Sequence, residues 1–146
     1  MKQASEFNPT RFAVVGAGPV GCIVAAFLAK GGYDVTLCDV VPALLAPALD
    51  PGIQLEGAEA FTQKVTRTCL VVDELAQYDP EVIFITVKAN ALPLIASALE
   101  TFYRKGMVVI SWQNGIDTDL ERTKTLVRGG VMRAVVNYGC GLGGPG

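Results

Sequence analysis

The run RFAVVGAGPVG at residues 11–21 narrows the fold more than any other feature of this chain. Arg11–Gly16 reads as a fully buried strand, a continuous apolar stretch closed by glycine. Pro19 to Lys30 follows as a helix, with proline in its first turn and Gly31-Gly32 where a C-terminal stop belongs. Between them the glycines have GxGxxG spacing, and each has a physical task. Gly16 permits a sharp turn, Gly18 lets backbone approach a pyrophosphate, and Gly21 lets the helix pack closely on the strands. Together with Ala17, Pro19 and Val20 they form a loop whose unpaired N–H groups face an anion at the helix start, helped by the helix dipole. The competing reading is a tight turn that holds no ligand.

A second strand, Tyr33–Asp39, ends in an acid 18 residues past Gly21. A carboxylate there accepts hydrogen bonds from an adenosine ribose diol and repels a 2′-phosphate. No arginine follows it, since the next residues are Val40, Val41 and Pro42. Asp39 therefore favours NAD(H) over NADP(H). An aspartate at a strand end also serves simply as a cap.

The same region contains a trap. Phe12 to Ala29 is an 18-residue stretch without a charge, long enough for a membrane span. Its internal Gly16, Gly18, Pro19 and Gly21 and its β-like start argue for strand, turn and buried helix instead. Glu6 stands where a signal peptide would be basic. The chain is expected to be soluble and cytoplasmic, with no membrane partner.

Composition removes further classes. A chain of 146 residues supports one domain, and a net charge of −2 leaves no electrostatic footprint for nucleic acid. With no histidine, Ser-His-Asp and Cys-His nucleophiles and His-ligated metals are excluded. The four cysteines form no CxxC pair, so no metal is expected and buried, reduced thiols are.

Downstream, VVPALLAPALDPG reads as a loop or short helix, and IQLEG and KVTRTCLV as short strands. A helical turn at Asp73–Tyr78 precedes the buried strand EVIFITVK, then a helix over Ala91–Tyr103. Met107–Trp112 is a strand closed by the turn Gln113-Asn114-Gly115. A helix over Asp117–Val127 and a strand over Val131–Tyr138 complete the pattern. Strands alternating with helices predict an α/β fold with a doubly wound, mostly parallel sheet. Residues 1–10 are expected to be flexible, 11–138 to form the dinucleotide-binding domain, and the glycine-rich 139–146 to be a hinge. Lys88 and Asn114 both fall at C-terminal strand ends, where open α/β sheets bind ligands. A cation there can hold a carboxylate or a ribose hydroxyl, and an amide can orient a carbonyl. The plainer alternatives are a solvated strand terminus for Lys88 and an Asn-Gly turn for Asn114.

GAGPVG (16–21), GIQLEG (52–57), ITVKANAL (85–92), SWQNGID (111–117) and the final GGPG, in this order, resemble the N-terminal half of the ketopantoate reductase (2-dehydropantoate 2-reductase) family. The resemblance implies NAD(P)H-dependent reduction of a 2-keto acid to a 2-hydroxy acid, in pantothenate biosynthesis, by a Rossmann domain joined to a helical C-terminal domain. It implies that Lys88 reaches the nicotinamide end of the cofactor and that Asn114 lies near the nicotinamide ribose and the substrate. Backbone around Gly139 and Cys140 aligns with a further cofactor contact. NADP(H) is the family default, from which Val40 departs because an arginine is common there. The family's proton-donating lysine and substrate-binding carboxylate lie in the C-terminal domain. No catalytic residue is thus assigned within these 146 residues, which are expected to bind cofactor, to be inactive alone, and to self-associate as a homo-oligomer through uncovered apolar surface. A stand-alone NAD(H)-binding or redox-sensing module is the alternative.

Overall fold

The computed structural model describes residues 7–113 and 131–144. Strand β1 (Arg11–Val15) leads through the glycine loop into helix α1 (Pro19–Lys30) and then β2 (Asp34–Cys38). Helix α2 (Pro42–Leu49) and a small hairpin of β3 (Ile53–Leu55) and β4 (Phe61–Gln63) follow, then β5 (Arg67–Cys69). After a 3₁₀ turn at Val72–Tyr78 come β6 (Val82–Ile85), α3 (Leu92–Glu100), β7 (Val108–Ser111) and β8 (Val131–Arg133). The main sheet has six strands in the order β5-β2-β1-β6-β7-β8, and every pairing in it is parallel. The chain winds outward from β1 to one side and from β6 to the other, so the order reverses between these two strands. This is the doubly wound arrangement expected of alternating strands and helices.

Both faces of the sheet are covered, as parallel strands require. On one face Ala13, Val15, Ile83, Ile85 and Val109 pack under α3 and the 3₁₀ turn, with Leu75, Ile95 and Leu99 fully or nearly buried. On the other, Val14, Val35 and Leu37 meet α1 and α2 through Ala25, Ala26, Leu45 and Ala48. The small side chains of α1 let it lie close to the strands. Beyond α1 this second face carries a row of rings, Tyr33–Phe12–Phe84–Trp112, with centroids 5.0, 6.4 and 5.5 Å apart.

Of the two readings of the proline-rich segment, loop or short helix, the structure has the helix, eight residues long. Pro42 occupies its first turn, where no N–H is needed, and Pro47 falls close enough to the end to remove a single bond. The strand β4 was not foreseen, and Val131–Tyr138 pairs only as far as Arg133. There the partner ends at Ser111, and one last bond from the Ala134 N–H to the Ser111 carbonyl (2.9 Å) closes the ladder. The helix expected over Asp117–Val127 lies outside the described residues. Cys22, Cys38 and Cys69 are buried as expected, but Cys140, in the glycine-rich tail rather than in a strand or helix, is exposed. The uncharged stretch from Phe12 resolves into a strand, a turn and a 12-residue helix, and no helix among the described residues is long and apolar enough to cross a membrane.

Charged side chains fix the ends of the sheet. The N–H groups of Thr10 and Arg11 donate to Glu81 Oε2 at 2.8 and 3.1 Å, and the Thr10 carbonyl accepts from Asp34 at 3.0 Å. Thr10 is thus tied to both Glu81 and Asp34. Those backbone donors hold the Glu81 carboxyl below its ordinary value, so its contribution is present above that range and is lost as pH falls through the lowered value. At the edge, Arg67 binds Asp34 through two guanidinium nitrogens (2.7 and 3.2 Å) and stacks 4.9 Å over Tyr78. This half-buried bidentate pair ties the three-residue β5 to β2. Arg67→Ala is expected to destabilise the fold by about 1–2 kcal/mol, read as a lowered urea midpoint.

Candidate functional site

Strand register decides which residues meet at the C-terminal edge of the sheet. Cys38, Val15, Ile85, Ser111 and Arg133 form one row across β2, β1, β6, β7 and β8. The next residues, Asp39, Gly16, Thr86 and Trp112, consequently stand side by side. Each extends the ladder by one bond: Asp39 N–H to Cys69 O (3.2 Å), Gly16 N–H to Cys38 O (2.8 Å), Thr86 N–H to Val15 O (2.8 Å) and Trp112 N–H to Ile85 O (2.9 Å). The row spans the point where strand order reverses, the place where open α/β sheets leave a crevice.

Gly16 turns the chain out of β1 at φ +109°, a conformation L side chains rarely adopt. A Cβ there would also stand 2.8 Å from Thr86 Oγ1. Helix α1 then passes so close that a Cβ on Gly21 would collide with the Gly16 carbonyl oxygen and lie 2.7 Å from Thr86 Oγ1. Around Gly18, by contrast, there is open space, with nothing within 4 Å of a Cβ position. Gly18 caps α1 without a side chain, Pro19 contributes no N–H, and the first intrahelical bond runs from Cys22 N–H to Gly18 O (2.9 Å). The N–H groups of Val20 and Gly21 thus begin the helix without helical acceptors, beside room for an anion.

Asp39 closes this corner. Its Oδ2 accepts from the Ala17 N–H at 2.8 Å and its Oδ1 from the Val41 N–H at 2.9 Å. Among the described residues each oxygen has this one partner, which leaves an acceptor position on each, as many as a ribose diol requires. Val40, the next residue, is 77% exposed and offers no charge for a phosphate. On the other side of the loop, the Cys22 thiol donates to the Ala17 carbonyl (3.4 Å). Burial and then the Asp39 charge raise the Cys22 pKa to about 11, so the thiol stays protonated at neutral pH. Cys38 and Cys69 are register partners on β2 and β5, and the neighbouring Cys69 thiol together with burial pushes the Cys38 thiol up. Cys22 and Cys38, buried and held protonated, act as packing groups rather than nucleophiles.

Of the residues singled out from sequence, the structure gathers Gly16, Ala17, Gly18, Pro19, Val20, Gly21 and Asp39 into one corner. Lys88 is exposed, three residues past the end of β6, where it starts the short 3₁₀ turn leading to α3. Asn114 lies outside the described residues. Cys140 lines a cavity of about 1180 Å³ on the α1 face of the sheet, together with Pro19, Phe84 and Trp112. Three residues were missed. Thr86 bridges the crevice, its hydroxyl within 3.0 Å of both the Val15 and the Gly16 carbonyls. Gln113 donates to the Val87 carbonyl at 2.6 Å and so ties the end of β7 to the residue before Lys88. Trp112 has a buried indole N–H with no partner among the described residues. The only sequence sign of Thr86 was a hydroxyl closing an otherwise apolar strand. No cluster of metal-ligating side chains occurs among the described residues. Thr86→Val is expected to cost about 1–2 kcal/mol of stability and Gly21→Ala more than about 3 kcal/mol, both measured by urea denaturation.

The family model described as ketopantoate reductase PanE/ApbA matches residues 12–146. The 2-dehydropantoate 2-reductase of Archaeoglobus fulgidus is 30% identical over 132 residues, which are 90% of this chain and 41% of that protein. The glycerol-3-phosphate dehydrogenase [NAD(P)+] of Geobacter metallireducens is also 30% identical, over 92% of this chain and 41% of that protein. Among solved structures, a PanE/ApbA family ketopantoate reductase from Ralstonia eutropha JMP134 superimposes with a TM-score of 0.79 at 26% identity, over 92% of this chain and 44% of that one. The chain therefore spans less than half the length of each of these relatives. With nearly all of its residues matched by the family model and the same fold in a solved member, the chain belongs to the ketopantoate reductase PanE/ApbA family.

Proposed function

We propose that this chain is the cofactor-binding portion of an NAD(P)H-dependent reductase that converts a 2-keto acid of the ketopantoate type to a 2-hydroxy acid. The observation that carries the reading is the corner built by Gly16–Gly21 and Asp39, open at Gly18 and flanked by N–H groups at the start of α1. The first turn of α1 would hold the pyrophosphate through the Val20 and Gly21 N–H groups. Asp39 would accept the adenosine ribose hydroxyls through its two outward acceptor positions. Lys88 would meet a ribose hydroxyl or the substrate carboxylate at the end of β6, and Asn114 and the Cys140 backbone would complete the nicotinamide side. When bound, the cofactor supplies the hydride, and these residues supply position.

The free acceptor positions of Asp39 and the uncharged Val40 favour NADH over NADPH, although NADP(H) is the family default. The glycerol-3-phosphate dehydrogenase match makes a phosphorylated ketone the second substrate class to test. The ITVKANAL and SWQNGID segments favour the keto acid.

Isothermal calorimetry is expected to give NADH at least about tenfold tighter binding than NADPH, from like-charge repulsion at Asp39. Tighter NADPH would overturn the preference, and no heat with either would overturn the cofactor reading. The 146 residues alone are expected to give no measurable NADH consumption with ketopantoate, because the resemblance places the proton-donating lysine and the substrate-binding carboxylate in a further domain. Turnover by this chain would show that the strand ends carry the chemistry themselves.

A further inference from the structure

We propose that Asp39 is a latch on the glycine loop as well as the acid that discriminates between cofactors, so that removing its carboxylate disorders the loop and fails to convert the site to NADPH. The latch is visible in the ligand-free chain. Ala17 is only 1% exposed, and its N–H has Asp39 Oδ2 as partner at 2.8 Å. Water cannot easily replace that acceptor, and a buried donor left unpaired is costly. The other Asp39 oxygen holds the Val41 N–H at 2.9 Å, which fixes the carboxylate's orientation from its own strand end. The Ala17 carbonyl is held in turn by the Cys22 thiol. The peptide groups on either side of Ala17 are thus clamped by a side chain just past the end of β2 and one from α1.

This arrangement separates two roles that a ribose contact alone would merge. If Asp39 only gripped the diol, its removal would relieve repulsion and NADPH would gain what NADH lost. With the latch, removal also releases the loop on which the pyrophosphate of either dinucleotide rests, and NADPH gains nothing. The cofactor half of this inference rests on the proposed function above; the loop half does not.

The test uses Asp39→Ser, whose short hydroxyl cannot span both donors, on the 146-residue chain. Ala17 amide hydrogen exchange, followed by NMR without ligand, is expected to accelerate about tenfold or more. In the same variant NADH affinity is expected to fall about tenfold and NADPH affinity to stay at or below that of the unaltered chain. Asp39→Asn, which keeps the side-chain shape and returns one neutral acceptor to Ala17, should give intermediate exchange. It also serves as the decisive variant if the serine form does not fold. Unchanged Ala17 exchange overturns the latch, and tighter NADPH binding in Asp39→Ser overturns its coupling to cofactor choice. If the unaltered chain binds neither dinucleotide, the proposed function falls, and the exchange rate still decides the latch.

Discussion

One close contact holds the centre of this molecule together: the bare Cα of Gly21 resting against the peptide of Gly16, with the Thr86 hydroxyl sealing the join from the neighbouring strand. It fixes how near α1 can approach β1, and so where the open end of the helix points. Because β1 and β6 wind outward in opposite directions, the contact sits at the reversal of strand order. The helix start, the acid on β2 and the turn after β6 then converge without needing long loops. The packing of Ala25 and Ala26 on the sheet is the same economy continued along the helix.

How much of this was legible from the residues depended on whether the determinant was local. Helix α1 was readable to its end residues, because proline at its start and Gly31-Gly32 at its end act within a single turn. The parallel sheet was readable from alternation alone. Strand lengths were not, since apolar character in VMRAVVNY continues where Ser111 has already ended the partner. Strand β4 exists only because Ile53–Leu55 pairs with it across a hairpin, and FTQ has no pattern of its own.

The site divides in the same way. The glycine spacing and Asp39 were visible because their chemistry requires particular residue types at particular intervals. Thr86 and Gln113 were not, because their roles follow from register: each sits one or two positions past a strand whose neighbour supplies the carbonyl it binds. The attachment of Asp39 to Ala17 spans 22 residues of sequence and has no local trace. Matches at equal identity to a ketopantoate reductase and a glycerol-3-phosphate dehydrogenase agree with this division, since fold and loop are shared more widely than substrate.

The ring row on the α1 face has an optical consequence. Trp112 is the only tryptophan in the chain; it stands 5.5 Å from Phe84 and one residue past the end of β7. Its ultraviolet emission therefore comes from a single indole at the strand-end crevice. The wavelength and quenching of that emission monitor local polarity there, giving the protein a built-in, label-free reporter of what enters or leaves.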